Sequence, residues 1–201
     1  MKNIGIYIIL LAYCLSLTGC WHTFTNGKVL KRGEVRYGYN ISAPGGANIN
    51  FSEGIGYNSE LGFDLSGFRL SYKFQFLPET FLSPAGAVLV KYASAFSTTL
   101  GPAYYEPTII FSKDISDKLT IYGGSNYYNG ENDIYDSDTN NSVGNELQRY
   151  FLGVQILSKK DDYANNSLMI EANFPAIYYN NNSLFRSNTP SIGIALVRQF
   201  K

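Results

Sequence analysis

The chain of 201 residues reads as all-β, a closed antiparallel up-and-down barrel of about ten strands, with eight as the alternative. Three observations predict this. The clearest is the run Phe68-Arg69-Leu70-Ser71-Tyr72-Lys73-Phe74-Gln75-Phe76, in which every even position is apolar or aromatic and every odd one polar or charged. A period of two is a strand. The second is parity across turns. Between Leu65 and Phe68 the apolar set jumps from odd to even numbers, as a two-residue hairpin loop demands, so Leu65 should lie opposite Phe68. Across 58–60 no jump occurs, which fits a three-residue loop. The third is composition, since 17 Tyr, 13 Phe and 19 Gly with only 16% charged residues suit β architecture better than a helical globule.

The amino terminus carries Lys2, an uncharged run from Ile4 to Leu17, and then Leu17-Thr18-Gly19-Cys20. This reads as a signal peptide over 1–19, too short for a membrane helix, which needs about 20 apolar residues. The small pair Thr18-Gly19 before Cys20 resembles the lipobox of bacterial lipoproteins, which implies cleavage before Cys20 and acylation of its thiol. Cys14 then leaves with the signal, no thiol pair remains, and disulfides contribute nothing. Losing Lys2 from a chain with 16 basic and 16 acidic residues tips the balance slightly acidic, so no nucleic-acid footprint exists. Residues 20–32 show no periodicity and read as a lipidated tether. Residues 33–201 form one barrel domain.

Ten segments alternate: 33–42, 47–57, 61–65, 68–77, 85–97, 103–112, 118–128, 146–157, 167–175 and 189–200. In the first, Val35, Tyr37, Tyr39 and Ile41 share one face, and Ala43-Pro44-Gly45-Gly46 ends it with a turn signal. The second breaks pattern at Glu53-Gly54, where a bulge is expected. The fifth is less sharply divided. Pro107 removes a ladder donor from the sixth, and Pro175 ends or bends the ninth. Loops are expected at 58–60, 113–117, 129–145, 158–166 and 179–188. The tenth segment stops at Phe200, one residue before the end.

The polar face is small and charged. It holds Gly38, Gly54, Gly56, Gly62, Gly153, Ser191, Gly193 and Ala195 together with Arg36, Glu60, Arg69, Lys73, Lys91, Glu106, Arg149 and Glu171. Small residues and balanced charges suit a narrow polar lumen, and the aromatic face suits a lipid-facing band. An even strand count lets first and last strands close antiparallel. With both termini on the periplasmic side, 129–145 and 179–188 become the outer loops, and 58–60, 113–117 and 158–166 inner turns.

Together the lipobox, the alternating strands, the Gly- and Tyr-rich composition and the near-terminal Phe200 resemble a bacterial outer-membrane β-barrel lipoprotein. The resemblance implies a barrel in the outer membrane, with membrane lipid as its partner and an acyl anchor at Cys20 in the inner leaflet. Trp21, rather than aspartate, follows the lipidated position, which favours the outer membrane. Two features depart from the pattern: Lys201 follows the aromatic, and 61–65 is short of the 9–11 residues a spanning strand wants.

No catalytic motif stands out. His22 is the only histidine and falls in the tether, and neither G-x-S-x-G nor a zinc spacing occurs. Asp136, Asp138 and Asn140 have the spacing that opens a calcium loop, but Asn141 replaces the glycine at position six and Leu147 the glutamate at position twelve. A solvated loop is the simpler reading. The expected function is therefore a structural or surface-interaction role, with no cofactor, no catalysis and an external partner the sequence does not identify. The rivals are a narrow channel, a lipid-tethered soluble barrel with an apolar interior, and a membrane-embedded lipid-modifying enzyme.

Overall fold

A computed structural model describes residues 22–43, 47–65, 68–93, 104–130, 135–136, 141–142, 146–160, 163–174, 177–180, 183–186 and 191–201. Ten strands make the barrel: β1 (Val35–Ala43), β2 (Ala47–Gly56), β3 (Ser59–Asp64), β4 (Arg69–Leu77), β5 (Ala85–Ala93), β6 (Tyr104–Ser116), β7 (Leu119–Gly130), β10 (Glu146–Lys160), β11 (Ala164–Asn173) and β14 (Ser191–Phe200). Each pairs antiparallel with its neighbour, and β14 pairs with β1, so the sheet closes on itself. The ten-strand reading holds and the eight-strand alternative does not. Closure removes every edge from the barrel wall.

Two short ribbons stand at one end. β8 (Tyr135–Asp136) pairs with β9 (Asn141–Ser142), and β12 (Ile177–Asn180) pairs with β13 (Ser183–Arg186). β12 also pairs with Glu146–Gln148 of β10, continuing the line of β11 with one extra residue between Asn173 and Ile177. The outer ends of β10 and β12 therefore carry the wall beyond β14. This is the loop end of the barrel, and the opposite end, with Tyr57–Asn58, 78–84 and Asp117–Lys118, is the turn end.

Local chemistry explains where the strands depart from expectation. The loop at 58–60 is in fact the two-residue turn Tyr57–Asn58, both residues at positive φ, while Ser59 and Glu60 already pair in β3. A two-residue turn alone would flip the parity. The register slips between Gly54 and Gly56, and Gly56 takes φ +89°, so the bulge absorbs the flip. At 113–117 the strand runs on to Ser116, again with a register slip, and turns at Asp117–Lys118. At 158–166 both flanking strands extend toward one another, so β10 reaches Lys160 and β11 starts at Ala164. Of the loop at 179–188, 179–180 and 183–186 are strand. Pro107 has the effect its ring predicts: the β6–β7 ladder skips Glu106 and Pro107. The pair Asp64–Arg69, with Phe68 N–H donating to Leu65 O, sets Leu65 opposite Phe68.

The two faces of the wall are opposite to those of a soluble protein. Leu70, Tyr72, Phe74 and Phe76 of β4 and Ile192, Ile194 and Leu196 of β14 point away from the barrel and are exposed, Leu196 by 62%. Lys73 and Glu171, on the inner face, are 0% exposed. The outer wall has the chemistry that a bilayer requires. Replacing Leu196, near the middle of β14, with Arg should cost about 2–4 kcal/mol of folding free energy in lipid vesicles. The urea midpoint of the vesicle-held chain measures it, and an unchanged midpoint would contradict a lipid-facing wall.

Candidate functional site

Residues 22–30 lie inside the barrel. The segment that reads as a tether runs down the lumen from the loop end to the turn end, and His22, Thr23, Phe24, Thr25, Gly27 and Leu30 are buried. Its backbone needs partners there, because water is largely excluded and unpaired amides are costly. The wall supplies them at each level.

At the loop end the Glu171 carboxylate accepts two successive amides, Thr23 N–H at 2.8 Å and Phe24 N–H at 2.9 Å. Phe24 holds φ +41°, a conformation that costs an aromatic residue about 1–3 kcal/mol. The double grip on Glu171 holds that bend in place. It seats the Phe24 ring among Leu89, Ile110, Tyr122, Phe151, Met169, Ala195 and Val197, an apolar core inside a polar lumen.

Lower down, Lys73 donates to Thr25 Oγ1 at 2.9 Å and to Lys28 O at 2.7 Å, and pairs with Glu60 at 3.1 Å. Glu60 also pairs with Arg36 and accepts Leu30 N–H at 3.1 Å. Asn26 donates to Gln155 at 2.7 Å, Gly27 N–H to Ser112 Oγ at 3.0 Å and Val29 N–H to Gln75 at 3.2 Å. At the turn end Lys28 is latched between Glu79 at 2.6 Å and Asp114 at 2.5 Å. Burial alone would raise the Glu79 carboxyl, but Lys28 and the Asp114 amide outweigh it and hold it below the ordinary glutamate range.

The charges predicted for the lumen divide into two groups. Arg36, Glu60, Lys73 and Glu171 touch or brace the inner segment. Arg69, Lys91 and Glu106 form a wall network nearer the loop end: Arg69 lies 3.3 Å from Asp64, Lys91 lies 3.8 Å from the same carboxylate and opposite Glu106 in the ladder, and Asn126 donates to Glu106 at 2.9 Å. Arg149 is half-buried and opposite Asn126 in the β7–β10 register. Of the calcium-loop residues, Asp136 pairs through its backbone with Asn141, while Asp138 and Asn140 lie outside the described residues, as does Cys20.

Glycines mark where the inner segment passes. A Cβ on Gly193 would stand 2.5 Å from Phe24 Cζ and 3.0 Å from the His22 ring, and one on Gly54 would strike the carbonyls of Leu30 and Lys31. These residues were visible on the polar face, but what they make room for was not. The signal in the segment itself is Phe24, Val29 and Leu30, three apolar residues where a free tether has no use for them.

His22 is the residue that sequence reasoning set aside. Its ring stacks on Phe24 with centroids 5.1 Å apart; Nδ1 lies 2.9 Å from Asn173 Nδ2 and 3.3 Å from Glu171 Oε1, and Nε2 lies 3.3 Å from Ser191 Oγ. A serine beside an imidazole whose other nitrogen faces a carboxylate has the outline of a hydrolytic triad. Here both Glu171 oxygens already accept amides of the inner segment and the ring is buried beneath the same cluster. The arrangement serves first as a seat for the segment.

Little space is left around it. Between the segment and the β1–β5 wall a polar cavity of about 30 Å³, bordered by Thr25, Arg36, Asn50 and Lys91, holds roughly two waters. A polar vestibule of about 230 Å³, bordered by Lys28, Asp114, Gln155 and Gln199, opens at the turn end and reaches Val197 of the apolar cluster.

No protein family matches the chain, and no curated protein does. Among solved structures, a NanC porin in a rhombohedral crystal form resembles it with a TM-score of 0.46 and 12% identity, covering 84% of this chain and 98% of that one.

Replacing Phe24 with Ala should lower unfolding free energy by about 3–5 kcal/mol, the cost of emptying a buried aromatic site. At a solvated tether residue the same change would be neutral within about 0.5 kcal/mol. Urea unfolding of the full chain distinguishes them.

Proposed function

We propose that the protein is an outer-membrane barrel closed by its own amino-terminal segment, acting as a surface-interaction scaffold without catalysis or transport. One observation carries the reading: Glu171, Glu60 and Lys73 spend their hydrogen bonds on the backbone of residues 23–30, which fills the lumen. The exposed aromatic wall supports the membrane location. With the bore filled, the surface left for work is the loop end. There the β12–β13 ribbon rises from the wall, and among the described residues no strand pairs with the far edge of β13. Such an edge suits a partner that adds a strand.

The narrow-channel reading competes through the turn-end vestibule, but a solute entering there meets Val197 and the Phe24 cluster. A second reading, a lipid hydrolase, is favoured by the Ser191–His22 contact alone. Covalent labelling of Ser191 by a fluorophosphonate would support it.

The purified full chain in a planar bilayer should show no discrete conductance steps, and a chain lacking residues 22–30 should show them. Steps from the full chain would establish the channel instead.

A further inference from the structure

We infer that the amino-terminal end of the chain leaves the barrel through the loop-end mouth, so that an acyl group on Cys20 enters the lipid leaflet on that side. This reverses the inner-leaflet placement that the resemblance implies. It rests on the membrane-spanning reading above and on the acylation of Cys20 that the lipobox resemblance implies, and adds a direction to them.

The path of the inner segment fixes that direction. His22 is level with Asn173, the last residue of β11, and with Ser191 and Gly193 at the start of β14. Further along, Gly27 meets Ser112, Lys28 meets Asp114 near the end of β6, and Leu30 meets Glu60 at the start of β3. Gly33 N–H then donates to Gly54 O beside the Tyr57–Asn58 turn, and β1 begins. Nine residue steps separate His22 from Lys31, a reach of at most about 30 Å, the thickness of the hydrocarbon core. The segment therefore crosses the barrel once, entering β1 from the turn end.

Cys20 stands two residues before His22. Two residues span at most about 7 Å. An acyl group fixed there cannot return to the leaflet at the turn end, because the way back is a lumen already occupied by its own chain. The contacts at the upper end are also the hardest to surrender. Withdrawing the segment would take two amide donors from Glu171, which is 0% exposed, and remove Phe24 from the apolar cluster. A lipid on the loop side requires neither loss.

Labelling of single thiols on intact cells with a membrane-impermeant maleimide tests this in the full chain with its own signal. Trp21→Cys reports the end in question, Asn141→Cys in β9 the loop end and Lys118→Cys the turn end. The expected result is that the Trp21→Cys and Asn141→Cys thiols label in intact cells and the Lys118→Cys thiol only after lysis. A Trp21→Cys thiol that tracks Lys118→Cys, or that never labels while the controls differ, overturns the inference. If the two controls exchange behaviour, the barrel is inverted, yet agreement of Trp21→Cys with Asn141→Cys still supports threading. If the controls do not differ from each other, the membrane-spanning reading falls and this inference with it. Repeating the series with Cys20→Ala and a cleavable secretory signal covers the case in which the acylated Trp21→Cys chain is not assembled.

Discussion

The structure depends on one constraint: a carboxyl group buried inside a closed barrel must be met by hydrogen-bonding partners. Glu171 and Glu60 sit on the inner wall almost without exposure, and leaving either unpaired would cost several kcal/mol. Glu60 meets Arg36 and Lys73 from its own wall. Glu171 meets the amides of Thr23 and Phe24 and the edge of His22, all from the inner segment. The wall needs the segment as much as the segment needs the wall. That mutual need ties the segment to the inner wall along the length of the lumen.

The apolar cluster around Phe24 gives the interior a second kind of cohesion. A lumen filled only by charges could exchange them for water at modest cost, since each group keeps a hydrogen bond either way. Phe24 cannot make that exchange. It belongs to one buried cluster with residues from β5, β6, β7, β10, β11 and β14, so six of the ten strands contribute to one apolar core. The bend at Phe24 and the missing side chain at Gly193 are what let the ring enter.

The barrel was legible in the sequence because its rules are local. Alternation in β4, parity across Leu65 and Phe68, and the even count of strands each follow from the pleat, and the structure follows them. Turn positions were less legible. The bulge at Gly54–Gly56 cancels the parity flip of a two-residue turn, so two different local geometries leave the same pattern of apolar residues. The charged lumen could be read as a face, but not its pairing, because shear between strands decides which residue meets which. The inner segment was hidden for a deeper reason. Residues 22–32 have no period of their own, and their conformation is imposed by Glu171, Lys73 and Glu60, which are far away in sequence. Only Phe24, Val29 and Leu30 hinted that the segment had something apolar to meet.

Hydrogen–deuterium exchange of the backbone amides of residues 22–32, in the folded full chain held in lipid, tests the filled lumen most directly. Amides of Thr23, Phe24 and Leu30 should exchange as slowly as those of the barrel strands, because each donates to a buried carboxylate. Exchange at the rate of an unfolded peptide across the segment would mean that it hangs free of the barrel and that the lumen is open.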